Sequence, residues 1–259
     1  MKIEMHQLRL LIGFFFLVCL SSCVTTVENG KKKINKKEAI ITHVKLGMTY
    51  LQKNNRDGAL RAFSRAIEID KRSAEAHQGL ALVHQLNGER ELASTSFQRA
   101  LKGRFDLSEA SVKVSYGRFL MQEEKCEQAL PYFETASKDI DYPSRANAIY
   151  LIGMCALQLE NTERARGSFE HALNLSPRHA KSAIELAEIY FEEKNYPKAK
   201  ENLDVFYANA KQSPRSLLLG IRIERIFGNK DKEASYALAL KNLHPYSTEY
   251  LEYKKMSTE

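Results

Sequence analysis

A chain of 259 residues, 44% hydrophobic and 27% charged, has the length of one or two ordinary domains and enough apolar material for a real core, which excludes a disordered chain. Gly and Pro number only 12 and 6, Trp is absent, and the abundance of Ala, Leu, Glu, Lys and Arg favours helices over strands. The formal charge of +7 is too modest to demand nucleic acid as a partner, and a chain that leaves the cytoplasm does not meet it.

Lys2 and Arg9 frame the start, and an apolar run from Leu10 to Leu20 follows. As a helix that run is roughly 16 Å long at about 1.5 Å per residue. A hydrocarbon core is about 30 Å thick, so the run is too short to span it. A basic front, a short apolar run and small residues behind it form the pattern of an export signal rather than of a buried first helix. Leu20-Ser21-Ser22-Cys23 resembles the bacterial lipobox. The resemblance implies that residues 1–22 are a signal peptide and that Cys23 is acylated and becomes the new first residue. Two or more acyl chains make a stable anchor, at about 0.8 kcal/mol per buried CH₂. Val24 follows where Asp would retain a lipoprotein at the inner membrane, which implies sorting to the outer membrane. Residues 23–38, with five lysines between Lys31 and Lys37, are expected to be a flexible tether. It is either a solvated spacer or a segment whose lysines touch anionic headgroups.

From residue 39 to 245 the chain repeats itself. Leu46, Gly47, Tyr50, Ala59, Phe63 and Ala66 form a pattern that returns as Leu80, Ala81, His84, Ala93, Phe97 and Ala100. Further copies carry Gly117, Ala129, Phe133 and Ala136, then Gly153, Ala165, Phe169 and Ala172, then Ala187, Ala199 and Leu203. A sixth, degenerate copy has Leu219, Gly220, Ile223, Ala234 and Leu238. The pattern resembles the tetratricopeptide repeat, a 34-residue helix–turn–helix unit. It implies an all-α, right-handed superhelix of about six such units. Small residues at the Gly47 and Ala59 positions let the paired helices approach, and the phenylalanines fill the seam to the next unit. Asn55-Arg56-Asp57-Gly58, Asn87-Gly88 and Gly228-Asn229 are expected turns. Pro143, Pro177, Pro214 and Pro245 are expected to end second helices, which proline cannot continue. Longer turns are expected around Gly103-Arg104-Phe105 and Asp141-Tyr142-Pro143. Residues 246–259 read as a tail or short capping helix.

In such a superhelix the first helices line a concave groove. On the usual geometry its face is built from Ile41, Val44, Met48 and Leu51 of the first unit, Leu82 and Leu86 of the second, Met121 of the third, and Tyr150 and Met154 of the fourth. Glu75, Gln78, Arg118, Lys181, Ile184, Glu188 and Glu192 occupy equivalent positions. The first unit's face is almost wholly apolar, and exposed apolar patches mark interaction sites. Methionines suit an adaptable surface. Val44 and Met48 stand where chaperone-binding repeats would need Lys and Asn to clamp a peptide carboxylate. The expected guest is therefore a helix or strand of a protein with apolar anchors.

Cys126 opens the second helix of unit three, and Cys155 lies late in the first helix of unit four. These neighbouring antiparallel helices bring both cysteines to one end, so a disulfide is expected in an oxidising compartment, with two buried thiols as the alternative. The seven histidines show no metal spacing. Nucleophile, phosphate-loop and metalloprotease motifs are absent, so no catalytic residue, metal, cofactor or small-molecule substrate is expected.

The whole chain resembles the type IV pilus pilotin lipoproteins, the PilF/PilW group. The combination of lipobox, basic tether, six repeats and cysteine pair carries that resemblance. It implies an outer-membrane lipoprotein facing the periplasm, anchored through Cys23, that binds the pilus secretin and promotes its localisation and multimerisation. A repeat lipoprotein of outer-membrane barrel assembly and a periplasmic adaptor for cell-wall hydrolases are the competing readings.

Overall fold

An aromatic ring seated on a glycine recurs along the molecule and sets the distance between its helices. The computed structural model describes residues 35–257, so the expected signal segment, Cys23 and most of the expected tether lie outside the described residues. Thirteen helices are described: α1 Lys36–Gln52, α2 Arg56–Ile69, α3 Ala74–Leu86, α4 Arg90–Leu101, α5 Glu109–Gln122, α6 Cys126–Lys138, α7 Arg145–Gln158, α8 Thr162–Leu175, α9 Ala180–Glu192, α10 Tyr196–Asn209, α11 Pro214–Ile226, α12 Lys230–Leu243 and α13 Thr248–Met256. They pair as α1/α2, where Phe63 meets Gly47, and as α3/α4 through α11/α12, giving six units, and α13 packs against α11 through Tyr250, Tyr253 and Met256. No strand occurs among the described residues; a lone parallel bridge joins Ser73 and Arg104. The all-α repeat architecture expected from the sequence is what the chain adopts. Lys36–Glu38, the last residues of the expected tether, are already helical.

Phe63 of α2 is fully buried, and its ring lies against Gly47 of α1 on one side and Gly79 of α3 on the other. A Cβ at either glycine would come within 2.5 Å or 2.2 Å of that ring. Phe133 meets Gly117, and Phe169 meets Gly153, in the same way. Each ring thus touches the first helix of its own unit at closest approach. Ala59, Ala93, Ala129, Ala165 and Ala199 are fully buried at the second close-packing position. In the second unit Phe97 instead packs, with its ring tilted, against Tyr116 and Phe119 of α5, at ring separations of 5.5 and 5.4 Å.

The sixth unit differs from the sequence expectation. Ala234 and Leu238, assigned to its core, are exposed, Leu238 by 59%. The wedge is Tyr236, whose ring lies against Gly220 as Phe63 lies against Gly47, with Ala237 and Leu240 buried beside it. The register of α12 is set by Tyr236 replacing phenylalanine, a substitution that hides the repeat pattern because tyrosine also occurs at surfaces.

The turns are tighter than expected. Every first helix closes on one left-handed residue: Asn54, Gly88, Glu124, Glu160, Lys194 and Gly228. The next residue's N–H reaches back to the helix, as Asn55 does to Tyr50 O and Asn161 to Ala156 O, both at 2.8 Å. Asn55, Asn161 and Asn195 then accept from the backbone N–H of Gly58, Arg164 and Lys198 as N-caps. Residues 55–58, expected as a turn, are therefore the cap and first turn of α2. Pro143, Pro177 and Pro245 follow α6, α8 and α12, but Pro214 does not close α10. It is the first residue of α11, where its missing N–H costs nothing, behind a Ser213–Ser216 capping box.

The long connection between α4 and α5 is built rather than loose. The carboxylate of Glu75, buried in the first turn of α3, accepts the backbone N–H groups of Asp106, Leu107 and Ser108 at 2.9, 2.7 and 3.2 Å. Arg104 donates its N–H to Arg72 O and lies 2.8 Å from Asp70. Lys37 of α1 lies 3.9 Å from Asp106. The loop thereby ties the first two units to the third.

Two predictions follow from the wedges and the turns. Phe133→Ala is expected to lower stability by about 3–5 kcal/mol, the cost of emptying a closed aromatic site; a urea midpoint unchanged from the parent would contradict the wedge. Glu160→Gly is expected to raise stability by about 0.5–1 kcal/mol, since a left-handed L-residue costs roughly 1–2 kcal/mol and glycine's lost entropy offsets part of the gain. A lowered midpoint for that variant would contradict the turn geometry.

Candidate functional site

The first helices of successive units adjoin along one face: α3 meets α5, α5 meets α7, and α9 meets α11. Polar side chains stitch this face across the seams. Gln78 donates to Ser115 Oγ at 2.6 Å, and the amides of Gln85 and Gln122 join.

Of the nine residues expected on the groove, Ile41, Leu51, Leu82, Met121, Tyr150 and Met154 are half-buried, and Met48 and Leu86 are exposed by 37% and 48%. Val44 is the exception. At 4% exposure it packs with Ile40, Ala66 and Ala76 and offers no free surface. The cause is general: Gln78, Val114 and Ile184, at the same position of their helices, are also buried at the seams between units. Tyr150 holds that position in the fourth unit, and its larger side chain packs against the cores on both sides while remaining half-exposed. Glu75, assigned to the same face, is taken up by the α4–α5 loop. What remains open at the N-terminal end is a track of Ile41, Met48, Leu51, Leu82 and Leu86.

Toward the middle the face changes chemistry. Tyr150 lies beside His179, at a ring separation of 5.5 Å, and Lys181 Nζ stands 6.0 Å from its ring centre. Burial pushes the Tyr150 phenol up to about 12, Glu185 adds to the rise, and Arg215 and Arg118 oppose it. Burial first, and then Lys181, hold the His179 imidazole below its ordinary range, so it is neutral at neutral pH. Arg118 also acts on the Tyr142 phenol, whose pKa burial raises. Arg215 of α11 grips the buried carboxylate of Glu185 with two N–H groups at 2.9 and 2.7 Å and also pairs with Glu188. Beyond it a cleft of about 240 Å³ lies between Glu188, Phe191, Leu218, Arg222 and Glu252 of α13. Sequence reasoning missed Arg215 and the cleft because it assigned no face positions to the degenerate sixth unit.

Cys126 and Cys155 are both buried, as free thiols. Cys126 Sγ donates to Gln158 Oε1 at 3.0 Å. Burial, followed by the neighbouring Cys126 thiol, pushes the Cys155 thiol up. The cysteines are thus brought together at the α6–α7 seam. His77 is a packing residue whose Nε2 donates to Lys71 O at 2.9 Å. Among the described residues no three His, Cys, Asp or Glu side chains gather to hold a metal ion, and no helix is long and apolar enough to cross a membrane.

Models of the TPR repeat and the tetratricopeptide repeat match residues 47–88, and 117–180 and 150–214. The type IV pilus assembly protein PilF of Pseudomonas aeruginosa is 36% identical over 248 residues, which is 95% of this chain and 98% of that protein. An uncharacterised protein of Haemophilus influenzae is 26% identical over 181 residues, 70% of this chain and 96% of its own length. A solved structure of the Pseudomonas PilF superposes with a TM-score of 0.80 over 85% of this chain and 99% of that one. PilW, described as a widely conserved type IV pilus biogenesis factor, superposes with a TM-score of 0.70 at 22% identity, over 82% of this chain and 97% of its own, and so shares the fold. Stacked repeats of this kind present surfaces for other proteins. With near-complete coverage of PilF at this identity, and with the repeats in place, the chain belongs to the tetratricopeptide-repeat family of type IV pilus biogenesis proteins.

Proposed function

We propose that the protein is a pilotin: a lipoprotein anchored through Cys23 to the outer membrane, facing the periplasm, that binds the type IV pilus secretin and promotes its localisation and multimerisation. The observation that carries this reading is the end-to-end similarity to a type IV pilus assembly protein, together with the open apolar track of Ile41, Met48, Leu51, Leu82 and Leu86. The mechanism is binding rather than catalysis. The acyl anchor raises the local concentration of a captured subunit at the membrane, and the track supplies contacts to apolar anchors of the client. Residues 1–22 act as the signal and the lysine-rich segment behind Cys23 as the tether. The Cys126 and Cys155 thiols each give up a proton and together two electrons to a periplasmic disulfide oxidant, and form a bond that closes a loop of about 30 residues. Such a bond stabilises by roughly 3–4 kcal/mol, less any strain.

Unheated gels of membranes from cells with and without the protein test the reading. Secretin multimers are expected to fall sharply without it and to return with the parent chain but not with Met48→Glu/Leu86→Glu. Multimers unaffected by deletion would reject the pilotin role. Mass spectrometry of the exported chain is expected to find residue 23 as an acylated N-terminus, with Cys126 and Cys155 two hydrogen masses below the reduced form. An unmodified residue 23 would reject the anchor, and two alkylatable thiols in unreduced, denatured protein would reject the disulfide.

A further inference from the structure

Charge on the first-helix face is unevenly settled. Arg215 is paired with Glu185 and Glu188, and Arg222 with Glu252. Arg118 on α5 and Lys181 on α9 are exposed, and neither is in an ion pair among the described residues. They flank Tyr150 on α7 from the two neighbouring units: Lys181 stands over its ring, and Arg118 is near enough to act on the phenols of both Tyr150 and Tyr142. His179 is neutral and adds no charge. The carboxylates facing this stretch, Glu185 and Glu188, are both used by Arg215. Two uncompensated cations therefore stand on either side of a half-exposed aromatic ring, on the same face as the apolar track.

We propose that Arg118, Tyr150 and Lys181 form a second contact point on this face that takes an acidic segment of the protein client, with carboxylates seated on the two cations and an apolar or aromatic neighbour against the Tyr150 ring. This rests on the reading that the face binds a protein client, and it names the chemistry of the part of the client that lies beyond the apolar track. The complementarity of charge selects the occupant. The segment ahead of α1 is a poor occupant, because Lys31, Lys32 and Lys33 repel Arg118 and Lys181. A bilayer surface is a poor fit, because the cations sit on a face shared by α5, α7 and α9 with Tyr150 between them. Charge-assisted contacts of this kind add specificity and fall with ionic strength.

The test uses the full-length protein and three probes: a fluorescein-labelled dodecapeptide of alternating Glu and Leu, the same peptide with Gln for every Glu, and vesicles containing phosphatidylglycerol. At low salt the Glu peptide is expected to bind about tenfold or more tightly than the Gln peptide, with the difference shrinking as salt is added. Arg118→Glu/Lys181→Glu is expected to erase the difference at an unchanged melting temperature. Tyr150→Phe, which keeps the ring, is expected to retain most of it, and Tyr150→Ala to weaken both peptides. Equal binding of the two peptides, or a preference that survives charge reversal in a folded variant, would overturn the proposal. So would a loss on charge reversal confined to the vesicles. The pilotin reading fails separately: a Glu preference intact in a protein whose deletion leaves secretin multimers unchanged sinks that reading and leaves this one standing.

Discussion

Contact between an aromatic ring and a residue with no side chain is the constraint on which the rest of this structure depends. Phe63 fits only because Gly47 and Gly79 let two first helices come down on its ring, and the same fit recurs at Phe133 with Gly117 and at Phe169 with Gly153. A ring held on its own unit's first helix fixes the spacing within a pair. A ring that also touches the next unit fixes the step between pairs. Since a single pair cannot bury its apolar face, these repeated steps produce the shared core and, on its other side, a continuous face of first helices.

That face inherits its chemistry from the same steps. Positions pointing into the seams are closed, which is why Val44 packs in the core with Val114 and Ile184 in equivalent places. Positions one or two turns away carry Met48 and Leu86 at one end and Arg118 and Lys181 farther along, all exposed. The acidic side chains are largely committed to holding units together. Glu75 secures the α4–α5 loop, Glu185 and Glu188 hold Arg215, and Glu224 is buried against Lys200. The cations of the middle face are left over because the carboxylates have structural work elsewhere.

Redox chemistry and packing meet at the α6–α7 seam. Cys126 begins α6 and Cys155 sits inside α7, both buried, and burial disfavours ionisation of the Cys155 thiol. Joining them would fasten the third unit to the fourth, next to Tyr150 and Met154 on the open face.

The sequence by itself determined the all-α repeat, the identity of the wedges in three units and the apolar character of the first unit's face, because each follows from small and aromatic residues recurring at nearly constant spacing. It also pointed to the cysteine pair, since helix order alone brings the two together. Tertiary structure decided the rest. Spacing does not say whether Leu238 or Tyr236 fills the last wedge, whether Val44 faces a groove or a seam, or whether Pro214 ends one helix or begins the next. Those outcomes depend on what a neighbouring helix presses against each side chain, on which backbone N–H groups Glu75 satisfies, and on which carboxylates are already taken when Arg118 and Lys181 are placed. Pairing of charges and closing of seams are non-local, and a one-dimensional repeat carries no record of them.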